Sequence, residues 1–407
     1  MNTFTTRALP FAAAAFLAAA ALAGPPQYTI IDLGVVVPGQ SASQGNGVSR
    51  NGVAVGRCLG TPSQAFSWTQ VGGIVGLPND PSRNFCVANA ANDFGQVVGT
   101  GSTTAFGSGA IPLIWTNGVV AQLPLPSGYS IGRANDVNDA GVSVGSVGSG
   151  TGEVGSIWLQ SGPSAITAAT STGCVFRTAY GINNAGIVCG FGIDPGNAAR
   201  NVGMIYDSES NISTEVGALP GGNGALAFGI SDGGHIVGSS MMNQGSGLPF
   251  IWTEATGIQP IPLPAGTSQG SARAVNSAGW AVGTASSAFA IPFLYDGTQT
   301  YRLADLLPAG TGWDLATNTS SAALGISENG IIVGTGVLGG QVRAFAMVPA
   351  GEPCAADFDG NGTREVPDIF AFLSAWFAGD ASAEFDGAPG ITVPDIFAFL
   401  SEWFAGC

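Results

Sequence analysis

One twelve-residue pattern, present seven times, limits what this chain can fold into. Its cleanest copy reads AYGINNAGIVCG, from Ala179 to Gly190. Beside it stand GNGVSRNGVAVG from Gly45, ANAANDFGQVVG from Ala88, ANDVNDAGVSVG from Ala134, AFGISDGGHIVG from Ala227, ARAVNSAGWAVG from Ala272 and ALGISENGIIVG from Ala323. The turn glycines are Gly52, Gly95, Gly141, Gly186, Gly234, Gly279 and Gly330, spaced 43 to 51 residues apart. A period of that size marks units that stack on their neighbours to bury a face, as solenoids and propellers do.

Each unit has a physical reading. Residues before the turn alternate as in a strand, Asn or Ser opens the turn, and the glycine takes the positive φ that a tight hairpin with a bulge requires. A β-branched strand follows and ends at another Gly. After a variable loop comes an aromatic strand: AFSW, PLIW, GSIW, GMIY, PFIW, PFLY and AFAM. A last strand closes most units near a Leu-Pro. Four short strands in about 45 residues is the size of a propeller blade.

The sequence also shows how the ring closes. The seventh unit stops after AFAMVP and lacks its last strand, while YTIIDLG, Tyr28 to Gly34, resembles YRLADLL, Tyr301 to Leu307, of the sixth unit. The spacing therefore predicts a mainly β fold: a seven-bladed β-propeller over residues 24–350, with the N-terminal strand completing the last blade. The alternative is an open solenoid, which leaves unpaired edges at both ends. The Asn-x-x-Gly hairpin and the Ala-Phe-x-Trp strand resemble the family of extracellular proteins with HAF-type repeats. Here QAFSW from Gln64 and RAFAM from Arg343 lack the His of that name. The resemblance covers roughly Tyr28 to Pro349 and implies export more than any activity.

Export is also read from the start of the chain. Arg7, the apolar run Ala8 to Ala20, and Ala21-Leu22-Ala23 before Gly24 form a signal peptide over residues 1–23. No later segment is long and apolar enough to span a membrane, so the expected location is secreted, extracellular or cell-surface associated. The net charge of −15, with no Lys and only Arg as base, argues against nucleic-acid binding. In an exported chain the six Cys can pair. Cys354 and Cys407 bracket the tail, and closing that loop of about 50 residues would add several kcal/mol. Cys174 and Cys189 flank one hairpin, and Cys58 and Cys86 are left for each other. A free C-terminal thiol is the other reading of Cys407.

The tail, residues 351–407, says one thing twice: DFDGNGTREVPDIFAFLSAWFAG from Asp357 and EFDGAPGITVPDIFAFLSEWFAG from Glu384. In the first copy Asp357, Asp359, Asn361, Gly362, Thr363, Glu365 and Asp368 fall at positions 1, 3, 5, 6, 7, 9 and 12 of an EF-hand loop, where Ca²⁺ needs oxygens and a sharp glycine turn. In the second, Glu384, Asp386, Thr392 and Asp395 remain, but Ala388 and Pro389 replace a donor and the glycine, which predicts a weak or vestigial site. Two such loop-helix units resemble the dockerin module, which docks secreted proteins onto cohesin partners. The ending in Gly-Cys resembles a dockerin variant carried by many secreted planctomycete-type proteins. The resemblance implies a cohesin-like or other extracellular protein partner, met through loop positions 10 and 11 and the helix after them: Val366, Pro367 and Phe370, with Val393, Pro394 and Phe397. Along the helices Ile369, Phe372, Leu373 and Trp376 form one stripe, with Phe370 and Phe377 off it.

Catalytic motifs are sparse. The lone His235 stands in a hairpin with no nucleophile elbow. Asp93, Asp139, Asp232 and Glu328 recur at one turn position, which Asp favours by hydrogen-bonding its own backbone. Trp68, Trp115, Trp158 and Trp252 recur once per unit, as blade packing does. The variable loops Gly101 to Ala110 and Met241 to Leu248 are the better ligand candidates. The expected function is a secreted, non-catalytic repeat protein tethered by its tail. The alternative is a carbohydrate-active propeller enzyme, a glycoside hydrolase or lyase, with polysaccharide as the ligand. Two clustered carboxylates with an Arg or Tyr at one mouth of the ring would favour the enzyme.

Overall fold

The computed structural model describes residues 25–105, 107–149, 152–242, 246–350, 356, 358, 366–386 and 390–405. The signal segment, Cys354, Cys407 and the loop residues Asp357, Asp359, Asn361, Thr363 and Glu365 lie outside them.

Seven antiparallel sheets form, one per repeat. In the fourth, Phe176–Ile182, Ile187–Asp194, Asn197–Asp207 and Ile212–Glu215 pair in chain order. Six blades share that order. The seventh is built from Ala322–Ile326, Ile332–Leu338 and Gln341–Pro349, and its fourth strand is Tyr28–Asp32. Tyr28 lies opposite Pro349 and Asp32 opposite Phe345, so the two ends of the repeat array close the ring. The innermost strand of each blade packs against those of both neighbours, around the whole circle. The chain is a seven-bladed β-propeller followed by a small two-helix module.

The blades hold together through apolar clusters, one at each of the seven junctions. Strand alternation explains them, because each sheet turns side chains toward both neighbours. The aromatic strand supplies the large pieces: Phe66, Phe250, Phe293 and Phe345 are fully buried. Trp68, Trp115 and Trp158 are buried too, and the indoles of Trp115 and Trp158 donate to the carbonyls of Pro78 and Pro124, at 2.8 and 2.7 Å. Those prolines belong to the Leu-Pro that closes the preceding blade. Trp252 is half-buried.

Two glycines of the repeat have distinct duties. The turn glycine has φ between 76° and 101° in all seven copies, a region costly for residues with a Cβ. The final glycine answers a β-bulge, present in the inner strand of every blade, as between Ala227 and Gly229. The bulge pushes a carbonyl over the next strand, so a Cβ at Gly238 would lie 1.9 Å from the Leu226 oxygen and one at Gly334 2.0 Å from that of Ala322.

The cysteine pairing is corrected by the structure. Cys58, Cys86, Cys174 and Cys189 are free, buried thiols. Cys174 packs in the cluster between blades three and four, whereas Cys189 packs between blades four and five. Cys58 and Cys86 are likewise divided between the two faces of blade one. Neighbouring sequence does not bring two thiols together when a sheet stands between them.

In the tail, Val366–Ala378 (α1) and Val393–Ala405 (α2) are helices. Phe372 and Phe399 stack face to face at 4.2 Å, with Ile369, Leu373, Trp376, Ile396, Leu400 and Trp403 around them. The stripe read from the sequence is the core of this module.

Candidate functional site

The seven hairpin turns meet around one mouth of the central channel, and two turn positions join them. The first carries Ser49, Asn92, Asn138, Asn183, Ser231, Asn276 or Ser327. Its side chain caps its own turn, as when Asn138 Oδ1 accepts from the Val142 N–H at 3.0 Å. Where it is Asn, the amide also donates to the next blade: Asn92 to the Asn138 carbonyl and Asn138 to that of Asn183, at 3.0 and 3.1 Å. Ser is too short for that second reach.

The second position carries Arg50, Asp93, Asp139, Asn184, Asp232, Ser277 and Glu328. Apart from Arg50, these side chains do not hydrogen-bond their own backbone as the sequence suggests; they accept N–H groups from the preceding blade. Asp93 accepts from Asn51, Asp139 from Asp93, Asn184 from Asp139, Asp232 from Asn184 and Glu328 from Ser277, all between 2.7 and 3.2 Å. Ser277 accepts from Gly233, and the Arg50 carbonyl accepts from Glu328. Every junction is thus stitched, and the recurring acids are explained as ring closers.

The Arg50 side chain has no acceptor to offer its neighbour and points elsewhere. Its guanidinium reaches Asp232 of blade five at 2.7 Å and Asp139 of blade three at 3.7 Å, crossing the mouth. Asn184 Nδ2 bridges the same two carboxylates at 2.7 and 2.9 Å. Two clustered carboxylates and an Arg do meet at one mouth, but both acids are occupied by these bonds.

Below this bridge lies a channel of about 210 Å³. Its wall is set by one column of the repeat: Asn46, Asn89, Asn135, Tyr180, Phe228, Arg273 and Leu324. The Asn amides donate to the next blade, to the carbonyls of Ala88, Ala134 and Ala179, each at 2.8 Å. On the other side Tyr180 and Phe228 lie 5.3 Å apart, and the Arg273 guanidinium sits 4.1 Å over the Phe228 ring. Burial raises the Tyr180 phenol and lowers the Arg273 guanidinium from their usual values.

Asp136 occupies the adjoining column, where the other six repeats carry Gly or Ala. Small residues suit it because a Cβ at Gly229 would meet the Arg273 carbonyl at 2.6 Å. The Asp136 carboxylate accepts from the N–H groups of Ile182 and Val137, at 2.8 and 2.9 Å. Burial pushes its carboxyl up to about 6, while those bonds and Arg50 pull the other way. A raised folded value means that stability is fully present below the ordinary carboxylate range and declines as pH rises toward 6. The stability of the protein relative to Asp136→Asn is therefore expected to fall by ~2 kcal/mol between pH 4 and 7.5 in urea unfolding. A difference that does not change with pH would refute the buried charge.

Other candidates fall into place more plainly. His235 is half-buried against the next turn, its Nδ1 3.5 Å from the Ser231 hydroxyl. The described residues of the loops around Thr103 and Met242 do not line the channel. In the second tail loop Asp395 accepts from the N–H groups of Thr392, Phe385 and Asp386, at 2.6, 2.7 and 3.0 Å, and these bonds hold its carboxyl far below the usual range. Glu384 and Asp386 of the same loop are exposed. Asp368, the last residue of the first loop, is buried at the start of α1. Among the described residues no three His, Cys, Asp or Glu side chains converge as a metal site, and no helix is long and apolar enough to cross a membrane.

The sequence reading missed Asp136, Tyr180, Phe228 and Arg273. The clue was available in the alignment of the repeats, where the chemistry of the Asn46 column changes while its surroundings stay fixed.

No protein-family model matches the chain, and no curated protein matches it. Among solved structures it is similar to YCF48 bound to D1 peptide, with 11% identity and a TM-score of 0.48 over 80% of this chain and 98% of that one. It is also similar to a streptogramin B lyase, at 13% and 0.47 over 79% and 98%. A third is the β-propeller domain of the Trilobed protease from Pyrococcus furiosus, at 10% and 0.46 over 77% and 97%. Blade number and closure rest on the strand pairing described above.

Proposed function

We propose that this is a secreted, non-catalytic repeat protein whose propeller is held at an extracellular partner by its two-helix tail, a dockerin-like module with Ca²⁺ at the first loop as its staple. One observation carries the reading. Both helices leave the same apolar residues in solvent: Val366, Phe370 and Phe377 are 55, 65 and 78% exposed, and Val393, Phe397 and Phe404 are 54, 66 and 75% exposed. The interior is already filled by the stacked Phe372 and Phe399, so these six do not serve the core. Large apolar side chains shown to water twice over, in matching places, suit a protein partner of cohesin type.

The test uses the full chain against the host's secreted and envelope fractions, with calcium and with EDTA. The protein is expected to hold one protein partner in calcium. Phe370→Asp with Phe397→Asp is expected to lose it at least tenfold, and to leave the melting temperature within about 2 °C because both sites are exposed. Undiminished capture by the double variant would sink the reading.

A second reading has its own observation. Asp136, raised by burial in the channel wall near Arg50, is a carboxyl suited to acid-base work, as a carbohydrate-active enzyme needs. Loss of glycan cleavage in Asp136→Asn, with cleavage in the parent, would favour it over the tether alone.

A further inference from the structure

The channel wall is divided by chemistry as well as by shape. On blades four to six the wall offers donors: the Tyr180 hydroxyl and the Arg273 guanidinium make no hydrogen bond or ion pair among the described residues, and Phe228 lies between them. Arg50, Arg200 and Arg343 are each paired with Asp, whereas Arg273 brings five donors and an aromatic neighbour to the channel wall. Arg273 is solvent-exposed where it lines the channel, open to an incoming anion, and its geometry matches a carboxylate through two parallel bonds.

Blades one to three offer the opposite. The amide nitrogens of Asn46, Asn89 and Asn135 are taken by neighbouring carbonyls, which fixes which amide atom faces the backbone. No described N–H or O–H donates to their oxygens, which remain as acceptors. At about 210 Å³ the channel lies below the ~300 Å³ at which drug-sized ligands begin, a size that suits a single-ring ligand.

We propose that the central channel binds a small polyhydroxylated carboxylate, a sugar acid of one ring, with its carboxylate on Arg273 and Tyr180 and its hydroxyls on the Asn46, Asn89 and Asn135 side. This site is separate from the tail surface, so it stands whether or not the attachment reading does.

Calorimetry on the full chain with D-glucuronate, D-glucose and benzoate tests it. Glucuronate is expected to bind, with glucose, which lacks the carboxylate, and benzoate, which lacks the hydroxyls, each at least about tenfold weaker. Arg273→Gln is expected to weaken glucuronate about tenfold or more, and Tyr180→Phe by about threefold. Thermal melts check that each variant is folded; if Arg273→Gln is not, Tyr180→Phe, which removes one oxygen, decides alone. Absence of glucuronate binding, equal binding of glucose or of benzoate, or unchanged affinity in the folded variants would overturn the proposal.

Discussion

Deleting residues 25–34 is expected to abolish cooperative folding of the propeller. The strand they contain supplies the outer edge of blade seven, and Tyr28 and Leu33 are 1 and 2% exposed. Tyr28 enters the cluster between blades six and seven, and Leu33 the one between seven and one, so their loss opens both junctions. Each large-to-small change at such a site costs ~3–5 kcal/mol, and two approach the ~5–15 kcal/mol that holds a domain folded. The ion pair of Asp32 with Arg343, at 2.7 Å and partly exposed, adds ~1 kcal/mol at most. The single change Tyr28→Ala should lower the melting temperature by roughly 5–10 °C. Tyr28→Phe should do the reverse, because the Tyr28 hydroxyl is buried with no hydrogen-bond partner among the described residues and its removal gains ~1 kcal/mol. A chain that melts unchanged without residues 25–34 would show that the clasp is dispensable.

Gly238→Ala is the second large effect. The added methyl would lie 1.9 Å from the Leu226 carbonyl oxygen and 2.8 Å from the Phe250 ring. Neither neighbour can withdraw: the carbonyl is fixed by the bulge, and the ring fills the core between blades four and five. Overpacking of this kind costs ~3 kcal/mol or more, against the ~1 kcal/mol that Ala otherwise gains over Gly by reducing chain entropy. Chemical unfolding should show a lower midpoint with an unchanged slope. The same change at Gly297, where φ is 94° but no atom lies within 4 Å, should cost less. Equal costs would mean that strain at the backbone, and not the carbonyl, explains the repeated glycine.

Much of the fold is legible because it is periodic. Alternation in IVCG and in AFSW fixes which side chains face a neighbour, and the turn glycines fix where each hairpin reverses. The resemblance of Tyr28–Gly34 to Tyr301–Leu307 named the clasp, since the two segments do the same task at the edges of blades seven and six. The helix stripe of Ile369, Phe372, Leu373 and Trp376 was equally plain from its 3.6-residue spacing.

The site was less legible, for a geometric reason. Asn46, Tyr180 and Arg273 are far apart in sequence and become neighbours only when seven strands stand in a circle. Cys174 and Cys189 illustrate the converse, being close in sequence yet kept on opposite sides of a sheet.

By itself the sequence determined the number of blades, the closing strand and the two-helix tail, because local period, glycine placement and apolar alternation act over a few residues. Tertiary structure alone decided that Arg50 reaches across the mouth to Asp232, that Asp136 is half-buried, and that donors and acceptors face each other across the channel. Those facts depend on distances around a ring, which no one repeat contains.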